Sequence, residues 1–236
     1  MKAFHGKQEV KDFYVARLQE HHRLDQIIQG IGWNKDRGCN VGCILHEYTH
    51  AKYPEVLGLP EWYARLCDVI FEGLPKENAP DFAMSSLMAI GVGVDIENVK
   101  WQLAILRHEK QLQALEDNKE SYADMVRASL QGVINYCKLM LSPHDEKSTE
   151  SAWSASRSAE SARSAAWSVA DSAAWSAESA RSAAWSVADS VKSAAESARL
   201  AAADLARSAY YEWEAETLIQ LLKECDSHNL QFKHSK

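Results

Sequence analysis

Apolar residues recur every three or four positions through most of the first 141 residues, which is the period of an α-helix. EVKDFYVARLQEHHRLDQIIQ has this pattern, and LPEWYARLCDVIFEGLP predicts a short helix between Pro60 and the stop at Gly73. Further helices are predicted from Cys39 through His50, after Asp95, and over SYADMVRASLQGVINYCKLM. MAIGVGVDI is the one stretch that could form a strand. The pattern therefore predicts an all-α fold that begins with a helical bundle.

The chain changes character near residue 142. All ten glycines and all five prolines precede His144, and alanine and serine dominate the sequence after it. Ser142 and Pro143 are typical of the start of a helix. We therefore predict a helical bundle domain over residues 1–141 and a long Ala/Ser-rich helical region over residues 142–236.

The second region contains an 18-residue repeat. Its rows are SAESARSAAWSVADSAAW (158–175), SAESARSAAWSVADSVKS (176–193) and the diverged AAESARLAAADLARSAYY (194–211). At about 3.6 residues per turn, a row completes about five turns, so equivalent positions return to one side of a helix. Each row has a glutamate three residues before an arginine, a spacing at which helical neighbours can pair.

Tryptophan recurs on a charged face of this repeat. The predicted interface residues are Trp153, Trp167, Trp175 and Trp185. Tryptophan buries a large area and is enriched at interfaces, so we expect this face to contact a protein, the first domain or another copy of the chain. A low-complexity helix of little specificity is the alternative. Because an unbroken helix would be about 115 Å long, we expect helical hairpins or a homo-oligomer.

Composition limits the classes of partner. A formal net charge of -7 argues against nucleic acid as the main partner, because phosphate backbones require a basic surface. No signal-peptide pattern opens the sequence, and no apolar run is long enough to span a membrane. The five cysteines are scattered, which favours reduced thiols in the cytoplasm.

HEYTH, at residues 46–50, fits the H-E-x-x-H pattern of zinc hydrolases. On a helix, His46 and His50 could share a zinc ion, and Glu47 could act as general base. Glu72 on the next helix would be the candidate third ligand. A structural metal site and a packed pair of hydrogen-bonded histidines are alternatives. No cofactor is favoured, although zinc is possible.

The same stretch also predicts a ligand pocket. On a helix, Cys39, Cys43, His46 and His50 would share one face. The preceding WNKDRG offers Trp33 for stacking and two cations, Lys35 and Arg37. It leads to a glycine-containing helix N-terminus, which would favour an anion. These features predict binding of a small phosphate-bearing molecule, such as a nucleotide.

Two family resemblances cover most of the chain. AFHG (3–6), GIGWNKDRGCNVGCILHEYTH (30–50) and LGLPEWYARLCDVIFEGLP (57–75) resemble uncharacterised bacterial and phage proteins. The Ala-rich repeat leading into ARSAYYEWEAETLIQLLKE (206–224) resembles the Imm-5-like immunity proteins of bacteria. The resemblances imply a role in conflict, either neutralising a toxin or blunting a host defence. Neither resemblance supplies a catalytic residue.

These observations together favour a non-enzymatic binding protein of the immunity or counter-defence type. It would neutralise a protein partner or sequester a small phosphate-bearing ligand. A zinc metallopeptidase that uses HEYTH is the alternative.

Overall fold

The computed structural model describes residues 1–115, 123–142 and 204–225. These residues are mostly helical, as the sequence pattern predicts. The predicted interface tryptophans, Trp153, Trp167, Trp175 and Trp185, lie outside the described residues. The chain divides into two compact units, Met1–Lys100 with Leu205–Lys236, and Trp101–Asp204. This division runs through a helix. The boundary at residue 142 stays a prediction.

The first unit contains five helices from the N-terminal part of the chain. They are α1 (Gln8–Arg23), α2 (Asn40–Leu45), α3 (Tyr53–Leu57), α4 (Glu61–Gly73) and α5 (Ala79–Met88). Two short 3-10 helices cover Ala3–Gly6 and His50–Lys52. A two-stranded antiparallel hairpin, β1 (Trp33–Asn34) and β2 (Arg37–Gly38), lies between α1 and α2.

The core of this unit is aromatic and aliphatic. α4 contacts both α2 and α5, and α1 contacts the same two helices. Tyr53, Tyr63 and Phe71 are almost completely buried between these helices, as are several leucines and isoleucines. Burying such side chains is the dominant favourable term in folding, which explains why these short helices are stable together.

Three glycines allow the hairpin to pack closely on α2. A Cβ atom on Gly38 or Gly42 would collide with the carbonyl oxygen of Gly32. A Cβ atom on Gly32 would in turn collide with the ring of Tyr48. The glycines of GIGWNKDRGCNVGC therefore let backbone approach backbone, and the Gly32 carbonyl covers the N-terminal end of α2.

A helix near the C-terminus, α8 (residues 204–225), also belongs to the first unit from Leu205 onward. The ring of Tyr211 lies against Gly73, where no side chain could fit. Leu218 and Leu222 are fully buried, and the side-chain amide of Asn78 donates a hydrogen bond of 2.8 Å to Glu212. The ARSAYYEWEAETLIQLLKE segment thus supplies apolar residues to the core of the first unit.

The described part of the second unit is formed by two helices. They are α6 (Val99–Ala114), from Trp101 onward, and α7 (Ala123–Leu141). Ile105, Ile134 and Cys137 form a buried cluster. The rings of Trp101 and Tyr136 meet edge to face, with centroids 5.9 Å apart. Among the described helices of the chain, none has both the length and the apolar composition that a membrane span requires.

Two local predictions need correction, and the one possible strand is decided. The helix predicted from Cys39 through His50 ends at Leu45, because His46 adopts a left-handed conformation with φ 59°. The first helix ends at Arg23, because Asp25 has φ 53° and turns the chain back. MAIGVGVDI does not form a strand. Its backbone-to-backbone hydrogen bonds to a distant segment are two, and both are made with the single residue Ala3.

Substitution at Gly42 tests the close packing of the hairpin on α2. We expect Gly42→Ala to lower the free energy of unfolding by about 2 kcal/mol, because the clash outweighs the better helix propensity of alanine. Gly6→Ala is the matched control, because Gly6 has φ 72° and open space around its Cα. It should cost about 1 kcal/mol, from backbone conformation alone. Urea denaturation measures both, and a Gly42→Ala protein as stable as the wild type would contradict the packing described.

Candidate functional site

Three rings from separate segments meet at the surface of the first unit. His21 of α1 and His46, just after α2, are joined through their Nε2 atoms at 2.9 Å. The Trp33 ring of β1 stacks on the His46 ring, with centroids 4.8 Å apart and planes 12° apart. His21 meets both of these rings edge to face. We call these three residues, together with Arg17, the ring cluster.

Local backbone geometry brings the rings together. The left-handed conformation of His46 ends α2, and its N–H donates to the carbonyl of Gly42 at 2.7 Å. Histidine is one of the few non-glycine residues enriched in this conformation. The close packing of Gly32 on α2 places the next residue, Trp33, against the His46 ring. The cluster therefore depends on the backbone of the hairpin and of α2.

Arg17 completes the cluster with a cation. It lies one turn before His21 on α1 and donates a hydrogen bond of 2.8 Å to the carbonyl of Ile44. Its guanidinium lies 4.6 Å from the ring centroid of Phe13 and 5.3 Å from that of Tyr14. No carboxylate of the described residues pairs with it, although the side chain is half-buried. Arginine has five N–H donors, so most of them remain available to an anion.

The chemistry of His46 follows from its neighbours. Partial burial, then the positive charge of Arg17 and then His21 lower the pKa of His46 below its usual value of 6.5. Each of these effects disfavours the imidazolium form. His46 is therefore neutral at neutral pH, and Arg17 supplies the positive charge of the cluster.

The second predicted histidine, His50, belongs to a different group of side chains. Asp68 of α4 accepts hydrogen bonds at one oxygen, Oδ2, from the Tyr48 hydroxyl at 2.6 Å and from His50 Nε2 at 3.1 Å. The hydrogen bond to Asp68 is the main cause that raises the pKa of Tyr48 well above its usual value, and burial adds to it. We call Tyr48, His50 and Asp68 the Asp68 cluster. Both donors share Oδ2, whereas the other carboxylate oxygen of Asp68, Oδ1, is buried and has no hydrogen-bond partner among the described residues.

The HEYTH segment lacks the helical turn that a zinc site of this pattern uses. His46 is bonded to His21, His50 to Asp68, and Glu47 pairs with Lys52 at 2.6 Å. Glu72, the candidate third ligand, accepts the Gly30 N–H at 2.9 Å, and burial raises its pKa. Across the residues that the structure describes, no three His, Cys, Asp or Glu side chains form a group that could hold a metal ion.

The two predicted cysteines lie beneath the hairpin. Cys39 and Cys43 are buried, and burial raises the pKa of each thiol to about 12. The Cys43 thiol donates to the carbonyl of Gly38 at 3.3 Å, and the Cys39 thiol to that of Gly32 at 3.5 Å. Both therefore remain protonated thiols at neutral pH and act as small core residues.

The two predicted cations, Lys35 and Arg37, lie on the exposed turn of the hairpin. Lys35 has φ 59°, and Arg37 lies 3.8 Å from Asp36. Such exposed ion pairs contribute little to stability.

A separate cavity of about 230 Å³ opens beside Ile28, Gln29 and Lys76. The Gln29 amide in its wall is held by the carbonyls of Phe71 and Leu74.

Sequence reasoning identified Trp33 and His46 as site residues, but it did not select Arg17, and it took a histidine of the first helix, His21 or His22, only as a hydrogen-bonded core residue. Arg17 and His21 are spaced by four residues, and Phe13 and Tyr14 precede Arg17 by four and three. This F-Y-x-x-R-x-x-x-H spacing places all four on one face of α1 and was the signal available. Gln26 gave no such signal, because it reaches His21 only through the turn at Asp25.

Comparison with known proteins yields no match: no family model, no curated protein and no solved structure is similar to this chain. The protein has a mostly helical first unit with a half-exposed cluster of tryptophan, histidine and arginine.

The lowered pKa of His46 predicts a pH dependence of stability. Because the folded state disfavours protonation of His46, its stabilising contribution is complete above about pH 6.5 and is lost as the pH falls toward the folded-state pKa. Between about pH 8 and about pH 5, the wild type should lose more unfolding free energy than His46→Gln, as measured by urea denaturation. Equal losses in the two proteins would show that His46 titrates normally.

The Asp68 cluster predicts a ranking of substitutions. Asp68→Ala should cost about 3 kcal/mol of unfolding free energy, because it leaves two donors without their acceptor. Tyr48→Phe, which removes one donor, should cost about 1 kcal/mol. Glu61→Ala is the control on the same helix, since it breaks only an exposed pair with Arg65 and should cost less than about 0.5 kcal/mol. Urea denaturation measures the free energy of unfolding of each variant. If Asp68→Ala costs no more than Glu61→Ala, the Asp68 cluster does not stabilise the fold.

Proposed function

We propose that the protein is a non-enzymatic binding protein that holds a nucleotide at the ring cluster. The observation that carries the proposal is the half-buried Arg17 guanidinium, which no carboxylate of the described residues pairs, beside the stacked rings of Trp33 and His46. Partly buried charges in proteins are usually paired. A phosphate group would supply the missing anion, and a nucleobase would extend the stack.

The Asp68 cluster supports the same assignment by contrast. There the tyrosine and histidine donors both bind Oδ2 of Asp68, and the oxygen without a partner, Oδ1, is buried, so no donor of this cluster is left for an incoming anion. The ring cluster keeps the free donors of Arg17, the exposed ring of His46 and a half-buried tryptophan. Stacking on an aromatic side chain contributes about 1–3 kcal/mol per base.

This proposal extends to the biological role expected from the family resemblance. A protein of the immunity or counter-defence type would act by sequestering a nucleotide signal, without chemical conversion. We further propose that copies associate through the Ala/Ser/Trp repeat, which would give several binding sites per particle. Native mass spectrometry of the full chain reports the oligomer and any retained nucleotide together.

Binding of nucleoside monophosphates tests the proposal. We expect at least one of AMP, GMP, CMP and UMP to bind the full chain in isothermal titration calorimetry. Arg17→Gln should weaken that binding at least about tenfold, because a charge-assisted hydrogen bond contributes about 1.5–3 kcal/mol. Arg65→Gln is the matched control, since Arg65 is an exposed arginine paired within α4, and it should leave binding unchanged.

Two results would contradict the proposal or its placement at the ring cluster. If no monophosphate binds and native mass spectrometry finds no nucleotide in the freshly purified protein, the proposal fails. Equal weakening by Arg17→Gln and Arg65→Gln would place the nucleotide outside the ring cluster.

A further inference from the structure

Gln26, His21 and His46 form two hydrogen bonds in series. The Gln26 side-chain oxygen, Oε1, lies 2.7 Å from His21 Nδ1. The other ring nitrogen of His21, Nε2, lies 2.9 Å from Nε2 of His46. The turn at Asp25 brings Gln26 back to α1, where its backbone N–H also donates to the His21 carbonyl at 2.9 Å.

When both rings are neutral, these two hydrogen bonds fix the position of each ring hydrogen. An amide oxygen can only accept, so Nδ1 of His21 must carry the hydrogen. In a neutral His21 ring, Nε2 is then an acceptor, and the hydrogen between the two rings belongs to Nε2 of His46. A neutral His46 therefore has no hydrogen on Nδ1. Within the described chain, no hydrogen bond to His46 Nδ1 is present, and the His46 side chain is exposed.

We propose that Gln26 and His21 are positioning residues that orient His46 so that its Nδ1 accepts a hydrogen bond from an N–H or O–H group of the ligand. This inference rests on the proposed function and refines its ligand class. A phosphate dianion cannot donate a hydrogen bond, so the phosphate belongs at Arg17 and the base at His46. The favoured ligand is a nucleotide whose base carries an exocyclic amino group, such as an adenine nucleotide.

The arrangement resembles the way a second group sets the tautomer of a histidine in other sites. The hydrogen bond made by one ring nitrogen decides which chemistry the other nitrogen offers. Here the effect passes through an additional imidazole, so that a glutamine that does not touch the ligand determines what His46 recognises. The same two hydrogen bonds make an anion unfavourable at Nδ1 of His46, because the lone pair of an unprotonated ring nitrogen repels negative charge.

Nuclear magnetic resonance of the full chain labelled with ¹⁵N-histidine tests the proton positions without any ligand. The His46 signal, assigned by its loss in His46→Gln, should show the neutral form with the hydrogen on Nε2. Gln26→Leu removes the acceptor and should give a mixture of the two neutral forms. Gln26→Glu restores an acceptor and should restore the Nε2–H form. A hydrogen on Nδ1 in the wild type, or no response to Gln26→Leu, would overturn the inference.

Calorimetry with two ligands tests the recognition step. AMP should bind about tenfold more tightly than purine riboside 5′-monophosphate, which lacks the amino group. Gln26→Leu should reduce this ratio, and Gln26→Glu should restore it. Equal affinities in the wild type overturn the assignment of His46 while leaving nucleotide binding intact. If neither compound binds, the ligand assignment falls with the proposed function, and the tautomer measurement still decides the proton positions.

Discussion

The close contact between the Gly32 carbonyl and α2 is the constraint on which the candidate site depends. Side chains at Gly38 and Gly42 would collide with that carbonyl, so the hairpin can reach the helix only because both positions are glycine. The contact places Trp33 beside the residue that ends α2. His46 then turns out of the helix with φ 59°, and its ring lies between Trp33 and His21. The fold thus assembles the cluster from three segments that are separate in sequence.

The two polar clusters of the first unit differ in whether their hydrogen-bond donors are already bound to a carboxylate. Asp68 binds two donors from the segment after α2 and so holds that segment on α4. Arg17 makes one hydrogen bond to a carbonyl and otherwise lies against aromatic rings. The two hydrogen bonds to Oδ2 fix the segment after α2, although the other oxygen of Asp68, Oδ1, is buried without a partner in the described chain. A half-buried cation with free donors gains more from an anion than an exposed one does, because water screens it less.

The sequence alone predicts those helices whose ends are marked by helix-starting or helix-breaking residues or whose apolar periodicity is strong. Pro60 and Gly73 frame α4, and the periodic run from Ala123 predicts α7, because in both cases local signals and burial agree. It was insufficient at HEYTH, where His46 leaves the helix to contact residues of α1 and β1. Tertiary contacts decided that conformation, and no local pattern encodes them. Trp33 and His46 could be selected as site residues from their chemistry, but Arg17 looks like an ordinary surface arginine until α1 is placed beside α2.

Net charge is a poor guide to what this protein binds. The chain carries a formal charge of -7, which argues against a long polyanion, since many phosphates would meet an acidic surface. A single phosphate senses mainly the nearest charges, because charges beyond about 10 Å are largely screened at ordinary ionic strength. At the ring cluster the nearest charge is Arg17, and the neutral His46 beside it adds a directional contact. The proposed ligand, a small anion with an aromatic ring, is therefore compatible with the acidic composition of the chain.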